Sequence, residues 1–127
     1  LLVKAMMNDG LLETEARSRF YLVDRYGLLT EEMTNLFDFQ KRFLQPRKAL
    51  EKWICQNPNN ISLEEVVKNV HPTLLVGTSG QPGIFTEAVV REMAAHVKRP
   101  IIFPMSNPTN RSEAKPSDLM AWTNGQA

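Results

Sequence analysis

The sequence predicts an α/β fold: an incomplete, doubly wound parallel sheet with flanking helices. Two observations carry this prediction. Short apolar runs of the kind that form buried strands alternate with stretches in which apolar residues recur at helical spacing. Asp24, residues 77–80 and residues 106–107 also lie at or just after the ends of three such runs, where a parallel sheet presents its strand ends to a ligand.

The first two elements are expected to be helices. The stretch LLVKAMMNDG has helical character and closes on Gly10, a natural C-terminal stop for a helix. The next stretch, LLETEARSRF, places Leu12, Ala16 and Phe20 on one helical face.

A short apolar run, RFYLVD, follows and ends at Asp24. Apolar runs of this length with β-branched and aromatic residues suit a buried parallel strand, after which RYG turns the chain. Residues 28–60 are the least regular part of the sequence and predict a loop with one helix.

The signals are stronger in the second half. Ser62 and Glu65 form the S-x-x-E capping box, in which a hydroxyl and a carboxylate each satisfy an amide of the first helical turn. Pro72 ends this helix, TLLVG predicts the next strand, and a helix is expected over residues 86–96.

The last two elements are a strand and a helix. The run RPIIFPMSNPT predicts a third strand that breaks at Asn107, because the proline that follows cannot continue a ladder. A final helix is expected from Ser117 to Thr123, with Pro116 near its first turn.

Composition excludes several classes of function. The 15 basic and 14 acidic residues leave a net charge of +1 and predict no basic face for nucleic acid. The longest apolar runs are far below the roughly 20 residues that a membrane span needs. The single cysteine, Cys55, excludes an internal disulfide and a multi-cysteine zinc site, and it fits a cytoplasmic location.

Asp24 has two interpretations. An acid at the end of the second strand of a dinucleotide-binding fold accepts hydrogen bonds from the adenine-ribose hydroxyls. Alternatively, Asp24 only opens the turn formed by Arg25, Tyr26 and Gly27.

The stretch GTSGQPG, residues 77–83, raises a similar choice. It differs from the G-x-G-x-x-G fingerprint, which joins a first strand to a first helix. Its backbone amides and the hydroxyls of Thr78 or Ser79 are nevertheless able to touch a cofactor closely. The alternative is a loop whose glycines serve only turn geometry.

Asn107 precedes a proline, which pushes its backbone to an extended conformation. Its amide then projects from the strand end as donor and acceptor at once, unless it only closes the strand through an Asx-type turn. His71 and His96 are interpreted as partners of helix C-termini, with no set of metal ligands around them.

Taken together, three segments resemble the NAD-binding domain of malic enzymes and of the related malolactic enzymes. These segments are FYLVDRYGLLT, LLVGTSGQPGIFTEAVVREMAAH and RPIIFPMSNPTNRSEA. The resemblance covers about residues 10–125 and is tightest over residues 72–114. It implies a Rossmann-like sheet and the bacterial NAD-dependent type of enzyme.

The resemblance implies oxidative decarboxylation of malate to pyruvate and CO2, with a nicotinamide cofactor and Mg²⁺ or Mn²⁺. Malolactic conversion of malate to lactate, with NAD retained, is the first alternative. A non-catalytic nucleotide-binding module is the second. Expected partners are malate, pyruvate and NAD, with no nucleic acid, no membrane and a homo-oligomeric parent.

The resemblance also assigns cofactor-binding roles. Asp24 takes the adenine-ribose role, with Arg25 beside it. The family's choice between NAD and NADP involves a position that aligns near Gln40. NAD is preferred over NADP, because Asp24 would repel a 2′-phosphate and Gln40 is neutral.

The other implied site residues follow the second and third predicted strands. Gly77, Thr78 and Ser79 line the cofactor channel, Met105 lies under the nicotinamide end, and Asn107 contacts the malate carboxylate. The catalytic lysine and tyrosine and the metal ligands are expected outside the chain, so we predict no catalytic and no metal-binding residue within it. Residues 1–127 are expected to form a single partial NAD-binding domain that lacks the first βα unit and is inactive alone.

Overall fold

The computed structural model describes residues 1–127. The chain divides into two compact units, Leu1–Ser62 and Leu63–Ala127, and each is described by itself. No helix in the chain has the length and apolar character needed to cross a membrane.

The first unit contains short elements joined by loops. In chain order they are α1 (Leu2–Asn8), α2 (Glu13–Ser18), β1 (Val23–Asp24), β2 (Gly27–Leu28), α3 (Asp38–Lys41) and a 3₁₀ turn (Arg47–Leu50). The two predicted N-terminal helices are therefore confirmed. Gly10 lies between them with φ = 101°, the left-handed conformation in which glycine ends helices.

The prediction of a buried parallel strand over RFYLVD is wrong. Only Val23 and Asp24 form a strand, and they pair antiparallel with Leu28 and Gly27 in a short hairpin. The Asp24 Oδ1 atom accepts a hydrogen bond from the Tyr26 amide at 2.7 Å, which closes the turn. The turn signal at Asp24 and Gly27 therefore outweighs the apolar character of the run.

Gly27 is required where it stands. Its φ of 89° is left-handed, and a Cβ on it would lie 2.7 Å from both the Asn60 Oδ1 and the Ile61 carbonyl oxygen. The Leu28 amide donates to the same Ile61 carbonyl at 2.8 Å. The close approach of the Ile61 backbone and the Asn60 side chain thus excludes any side chain at position 27.

The core of the first unit surrounds a buried glutamine. Gln45 is buried, and its side-chain amide donates to the carbonyl oxygens of Ser18 and Phe20 at 3.1 and 2.7 Å. Its backbone also exchanges hydrogen bonds with Leu29 and Glu31. These bonds satisfy the polar groups that packing of the apolar side chains removes from water. The buried apolar residues are Ala16, Leu28, Leu29, Leu50 and Ile61.

The second unit alternates helices and strands as predicted. Its elements are α4 (Leu63–Val70), β3 (Leu74–Gly77), α5 (Glu87–His96), β4 (Ile101–Pro104), a 3₁₀ turn (Thr109–Arg111) and α6 (Pro116–Trp122). Thr86 caps α5 by accepting a hydrogen bond from the Val89 amide. Pro116 is the first residue of α6, where its missing N–H costs nothing.

The two strands of the second unit form a small parallel sheet. Leu74 pairs with Ile101, and the register continues to Gly77 and Pro104. The apolar core includes Leu75 and Ile102 from the sheet and Val89, Val90 and Met93 from α5. A mixed α/β fold with a parallel sheet and flanking helices is confirmed, whereas the doubly wound arrangement is not.

One face of this sheet is open to solvent. Val76 and Phe103 are neighbours in the register, and they remain 46 and 52 % exposed. Ile101 lies on the same face and is 50 % exposed. The opposite face carries Leu75 and Ile102 and is buried, so the strands alternate between core and solvent.

Candidate functional site

The carboxyl ends of β3 and β4 bring two of the predicted loops together. Gly77 and Pro104 are the last register partners, and the Met105 amide donates to the Gly77 carbonyl oxygen at 2.9 Å. The chain therefore leaves both strands at the same edge. Thr78 and Ser79 follow β3 there, and Asn107 lies three residues beyond the end of β4.

A buried carboxylate organises this edge. The Glu113 side chain is fully buried. Its Oε1 atom accepts hydrogen bonds from the Ser79 amide at 2.7 Å, the Ser79 hydroxyl at 2.9 Å and the Gly80 amide at 3.3 Å. Oε2 accepts a longer bond from the Ser106 amide at 3.3 Å. One side chain thus connects the loop after β3 to the loop after β4.

Ser106 makes a second connection between the loops. Its hydroxyl donates to Glu113 Oε1 at 2.5 Å and accepts from the Gly80 amide at 2.8 Å. The hydroxyl therefore uses both its donor and its acceptor capacity inside the site. This arrangement fixes Gly80 against the end of β4.

The hydrogen bonds keep Glu113 ionised. Burial by itself would raise the pKa of this carboxyl group. The donors on Ser106 and Ser79 outweigh burial and lower the pKa from 4.5 to about 2. Glu113 is therefore a carboxylate throughout the neutral range, and its negative charge is held by oriented dipoles rather than by a cation.

Glu113 also explains why residue 77 is glycine. A Cβ at this position would lie 2.6 to 2.8 Å from the Cδ, Cγ and Oε2 atoms of Glu113, closer than non-bonded atoms pack. Gly80 and Gly83 differ, because they have φ values of 66° and 72° with open space around them. Those two glycines serve turn geometry, which is the alternative that the sequence left open for this loop.

The remaining predicted residues at this edge are exposed. Thr78 and Asn107 are exposed, and Met105 is 60 % exposed, whereas the Ser79 hydroxyl points inward to Glu113. The Asn107–Pro108 peptide bond is cis. The structure thus gathers Gly77, Thr78, Ser79, Met105 and Asn107 along one sheet edge.

Asp24 and Arg25 belong to the first unit. Asp24 forms the Asx-type turn described above, which is the structural role that the sequence allowed for it. The Arg25 guanidinium lies 4.8 Å from the centre of the Tyr26 ring, in cation–π contact. The meeting of Asp24 with the β3–β4 edge around one ligand stays a prediction.

At this edge, side chains rather than backbone amides are available to contact a dinucleotide. The Ser79 and Gly80 amides already donate to Glu113 and Ser106, so they are engaged and not directed at a phosphate. The Thr78 hydroxyl, the Asn107 amide and the Met105 thioether offer polar and apolar contacts to a sugar and a flat ring. The residues present therefore fit the sugar and the flat ring of the cofactor.

Sequence reasoning placed Ser106 at this edge but missed Glu113 and the hydrogen bond between them. The only available signal was the glycine at the end of β3, because a residue without a side chain indicates a close approach. The sequence does not show that an acid 36 positions later makes that approach. The structure confirms that His71 and His96 lie at helix C-termini. It corrects only the statement that no metal ligands surround them, because both lie together with Glu92.

Comparison with known proteins agrees with this architecture. A family profile described as "Malic enzyme, NAD binding domain" matches residues 1–127. The chain therefore belongs to the malic enzyme family, in which it corresponds to the NAD-binding domain.

The relatives described below share one name, NAD-dependent malic enzyme. The chain is 53 % identical over 126 residues to the NAD-dependent malic enzyme of Edwardsiella ictaluri. It is 51 % identical over 126 residues to that of Pectobacterium atrosepticum. In both cases the match covers 99 % of this chain and 22 % of the relative. With the enzyme of Sodalis glossinidius the identity is 52 % over 122 residues, which is 96 % of this chain and 21 % of the relative. The chain thus spans about a fifth of the length of these relatives.

Proposed function

We propose that the chain is the NAD-binding part of an NAD-dependent malic enzyme, which oxidatively decarboxylates malate to pyruvate and CO2. The observation that carries this proposal is the 53 % identity, over nearly the whole chain, to a protein of that name. The shared strand-end edge at Gly77 and Pro104 is consistent with it. The name of the relatives favours malic enzyme over the malolactic alternative, and membership of an enzyme family disfavours a non-catalytic module.

Within this proposal the chain binds and orients the cofactor. Thr78 and Ser79 line the cofactor channel, Met105 lies under the nicotinamide, and Asn107 holds the malate carboxylate. Bound NAD supplies the hydride acceptor. Glu113 acts indirectly, because its carboxylate fixes the loops that carry Ser79 and Ser106.

Asp24 selects NAD in the same proposal. Its carboxylate accepts hydrogen bonds from the adenine-ribose hydroxyls and repels the 2′-phosphate of NADP. One oxygen already accepts from the Tyr26 amide, and a carboxylate has further acceptor capacity for a ribose. Arg25 stands beside it on the exposed hairpin turn.

The rest of the proposal concerns the parent protein. Mg²⁺ or Mn²⁺ would be held by residues outside this chain, as would the lysine and tyrosine that move protons. The chain would form a single partial domain, and the parent would be a cytoplasmic homo-oligomer. The isolated chain would then form no NADH from malate.

The proposal is tested in the full-length protein that carries the chain, by measuring malate-dependent NADH formation. Asn107→Ala is expected to raise KM for malate by about tenfold, which corresponds to ~1.4 kcal/mol, because the proposed contact with the malate carboxylate is lost. Asn59→Ala removes an exposed amide of the first unit and is the matched control. Lactate formation without NADH release, or equal KM values in the two variants, would contradict the proposal.

A further inference from the structure

We infer that His71, Glu92 and His96 form a binding site for one divalent transition-metal ion such as Zn²⁺. Their ligand atoms all lie within 4.8 Å of one another. The three residues belong to the second unit, and the proposed cofactor-binding edge uses none of them. The site is therefore separate from the chemistry proposed above.

Two of the ligands come from one helical face. Glu92 and His96 are one turn apart on α5, so their side chains are neighbours. The Nδ1 atom of His96 lies 3.4 Å from Glu92 Oε1 and 3.1 Å from the Glu92 carbonyl oxygen. This i, i+4 spacing is also the one at which two helical side chains bind a single metal ion.

The third ligand comes from the end of α4. His71 directly follows this helix, and its amide donates to the Val67 carbonyl oxygen at 3.0 Å. Its φ of 51° is left-handed, which is uncommon for a residue with a side chain. The His71 ring stacks on His96 with 3.7 Å between ring centres and 8° between ring planes.

The backbones that carry the ligands are held by the core. Val67 on α4 and Val90 and Met93 on α5 belong to one buried cluster and are at most 1 % exposed. Val67 is also the residue whose carbonyl accepts the His71 amide. The two helices therefore present their ligands from fixed positions, so binding does not need to order the backbone.

The side chains can close around an ion. Ligand atoms in a tetrahedral zinc site are roughly 3.3 Å apart, as follows from Zn–N distances near 2.0 Å, so the rings must tilt out of their parallel stack. The His96 and Glu92 side chains are 38 and 28 % exposed, and this leaves room for such a rotation. Three protein ligands leave a fourth position for water.

The donor set indicates the class of ion. Two imidazoles and one carboxylate suit zinc, copper, nickel or cobalt, whereas magnesium and calcium prefer oxygen ligands. The carboxylate also offsets part of the charge of the ion. The expected ion therefore differs in class from the Mg²⁺ that the proposed reaction would use.

The test uses the 127-residue chain with Cys55→Ser, so that the single thiol does not compete. Calorimetric titration with Zn²⁺ is expected to show one ion per chain, and Mg²⁺ to show no comparable binding. Electron paramagnetic resonance of one added equivalent of Cu²⁺ is expected to show nitrogen couplings from two imidazoles.

Variants assign the ligands. His71→Asn and His96→Gln are each expected to weaken Zn²⁺ binding at least about tenfold, and Glu92→Gln several-fold. Asparagine is chosen at position 71 because it tolerates a positive φ. Glu87→Gln is the matched control, since Glu87 lies on the same helix and pairs with Arg91. Far-ultraviolet circular dichroism without metal checks that each variant is folded.

The inference would be overturned by unchanged Zn²⁺ affinity in either histidine variant, by coupling to a single imidazole, or by one ion shared between two chains. Equal losses of Zn²⁺ affinity in Glu87→Gln and Glu92→Gln would show that Glu92 is not a ligand. The proposed three-residue site would then be wrong.

Discussion

The Glu113 side chain packs so close to Gly77 that a Cβ at position 77 would lie 2.6 to 2.8 Å from its atoms, which leaves no room for a side chain there. This contact joins the end of β3 to a residue 36 positions later and places the Ser79 and Ser106 hydroxyls on one acceptor. The edge proposed to bind NAD is thus shaped by an internal carboxylate, and its stability can be tested separately from its function.

Gly77→Ala is expected to destabilise the chain by about 1–3 kcal/mol, because the new methyl group overlaps Glu113. The Gly77→Ala/Glu113→Ala double variant should lose less than the sum of the single variants, since the second change removes the atoms that clash. Urea unfolding of the four proteins measures this coupling. In the control cycle, Gly83→Ala with Glu113→Ala should be additive, because position 83 has open space; additivity in both cycles would contradict the contact.

Glu113 should make the stability depend on pH in the acid range. Its pKa is about 2 in the folded chain against 4.5 ordinarily. The unfolded chain therefore binds the proton first as the pH falls. The contribution of the carboxylate is fully present above pH 4.5 and is lost as the pH falls from 4.5 towards 2.

Glu113→Gln tests this dependence. The variant is expected to be less stable than the parent by about 1–3 kcal/mol at pH 7, because an amide cannot accept all of the donors that the carboxylate satisfies. The difference should shrink at pH 3, as measured by urea unfolding at both values. Glu87→Gln, on the exposed face of α5, is the control. A difference that is the same at pH 3 and pH 7 would refute the assigned pKa.

Gly27→Ala is expected to destabilise the chain more than Gly10→Ala. Both positions have left-handed φ values, 89° and 101°, but only position 27 has neighbours within 3 Å of an added Cβ. Gly10→Ala should therefore cost only the conformational penalty of about 1 kcal/mol, and Gly27→Ala should add a steric penalty of similar size or larger. Thermal and urea unfolding compare the two variants. Equal losses would show that the Asn60 side chain and the Ile61 backbone do not restrict position 27.

Asp24→Asn separates the two roles of this residue. Asparagine keeps the side-chain oxygen that accepts from the Tyr26 amide, so the turn and the stability should change little. Removing the negative charge should raise the preference for NADP over NAD by about tenfold, which corresponds to ~1.4 kcal/mol. The ratio of kcat/KM for the two cofactors in the full-length protein measures this. Asp38→Asn, at an exposed helix start, is the control; an unchanged ratio in Asp24→Asn would leave Asp24 with the turn alone.

Local signals predicted the second unit well. Thr86, Pro116 and the apolar periods act within a few residues, so the sequence contains all that is needed to place α5, α6 and the two strands. The strand predicted for the run that ends at Asp24 was wrong for the opposite reason, because its structure depends on distant residues. Its apolar character was compatible with a long strand, and the hairpin depends on the close approach of Asn60 and Ile61 to Gly27.

The candidate site shows the same division. The strand-end positions of Thr78, Met105 and Asn107 follow from the order of elements and were predictable. The partners of Glu113, and the grouping of His71 with Glu92 and His96, depend on which loops and helices pack together. Such contacts between distant parts of one sequence are not visible in its periodicity.

The half-exposed face of the β3–β4 sheet has a practical consequence for handling the purified chain. Parallel sheets normally have both faces covered, whereas Val76, Ile101 and Phe103 meet water here. Since hydrophobic attraction weakens in the cold, the chain should aggregate through this face more slowly near 4 °C than at room temperature. Val76→Thr or Ile101→Thr would keep the preference for a strand while making that exposed surface more polar.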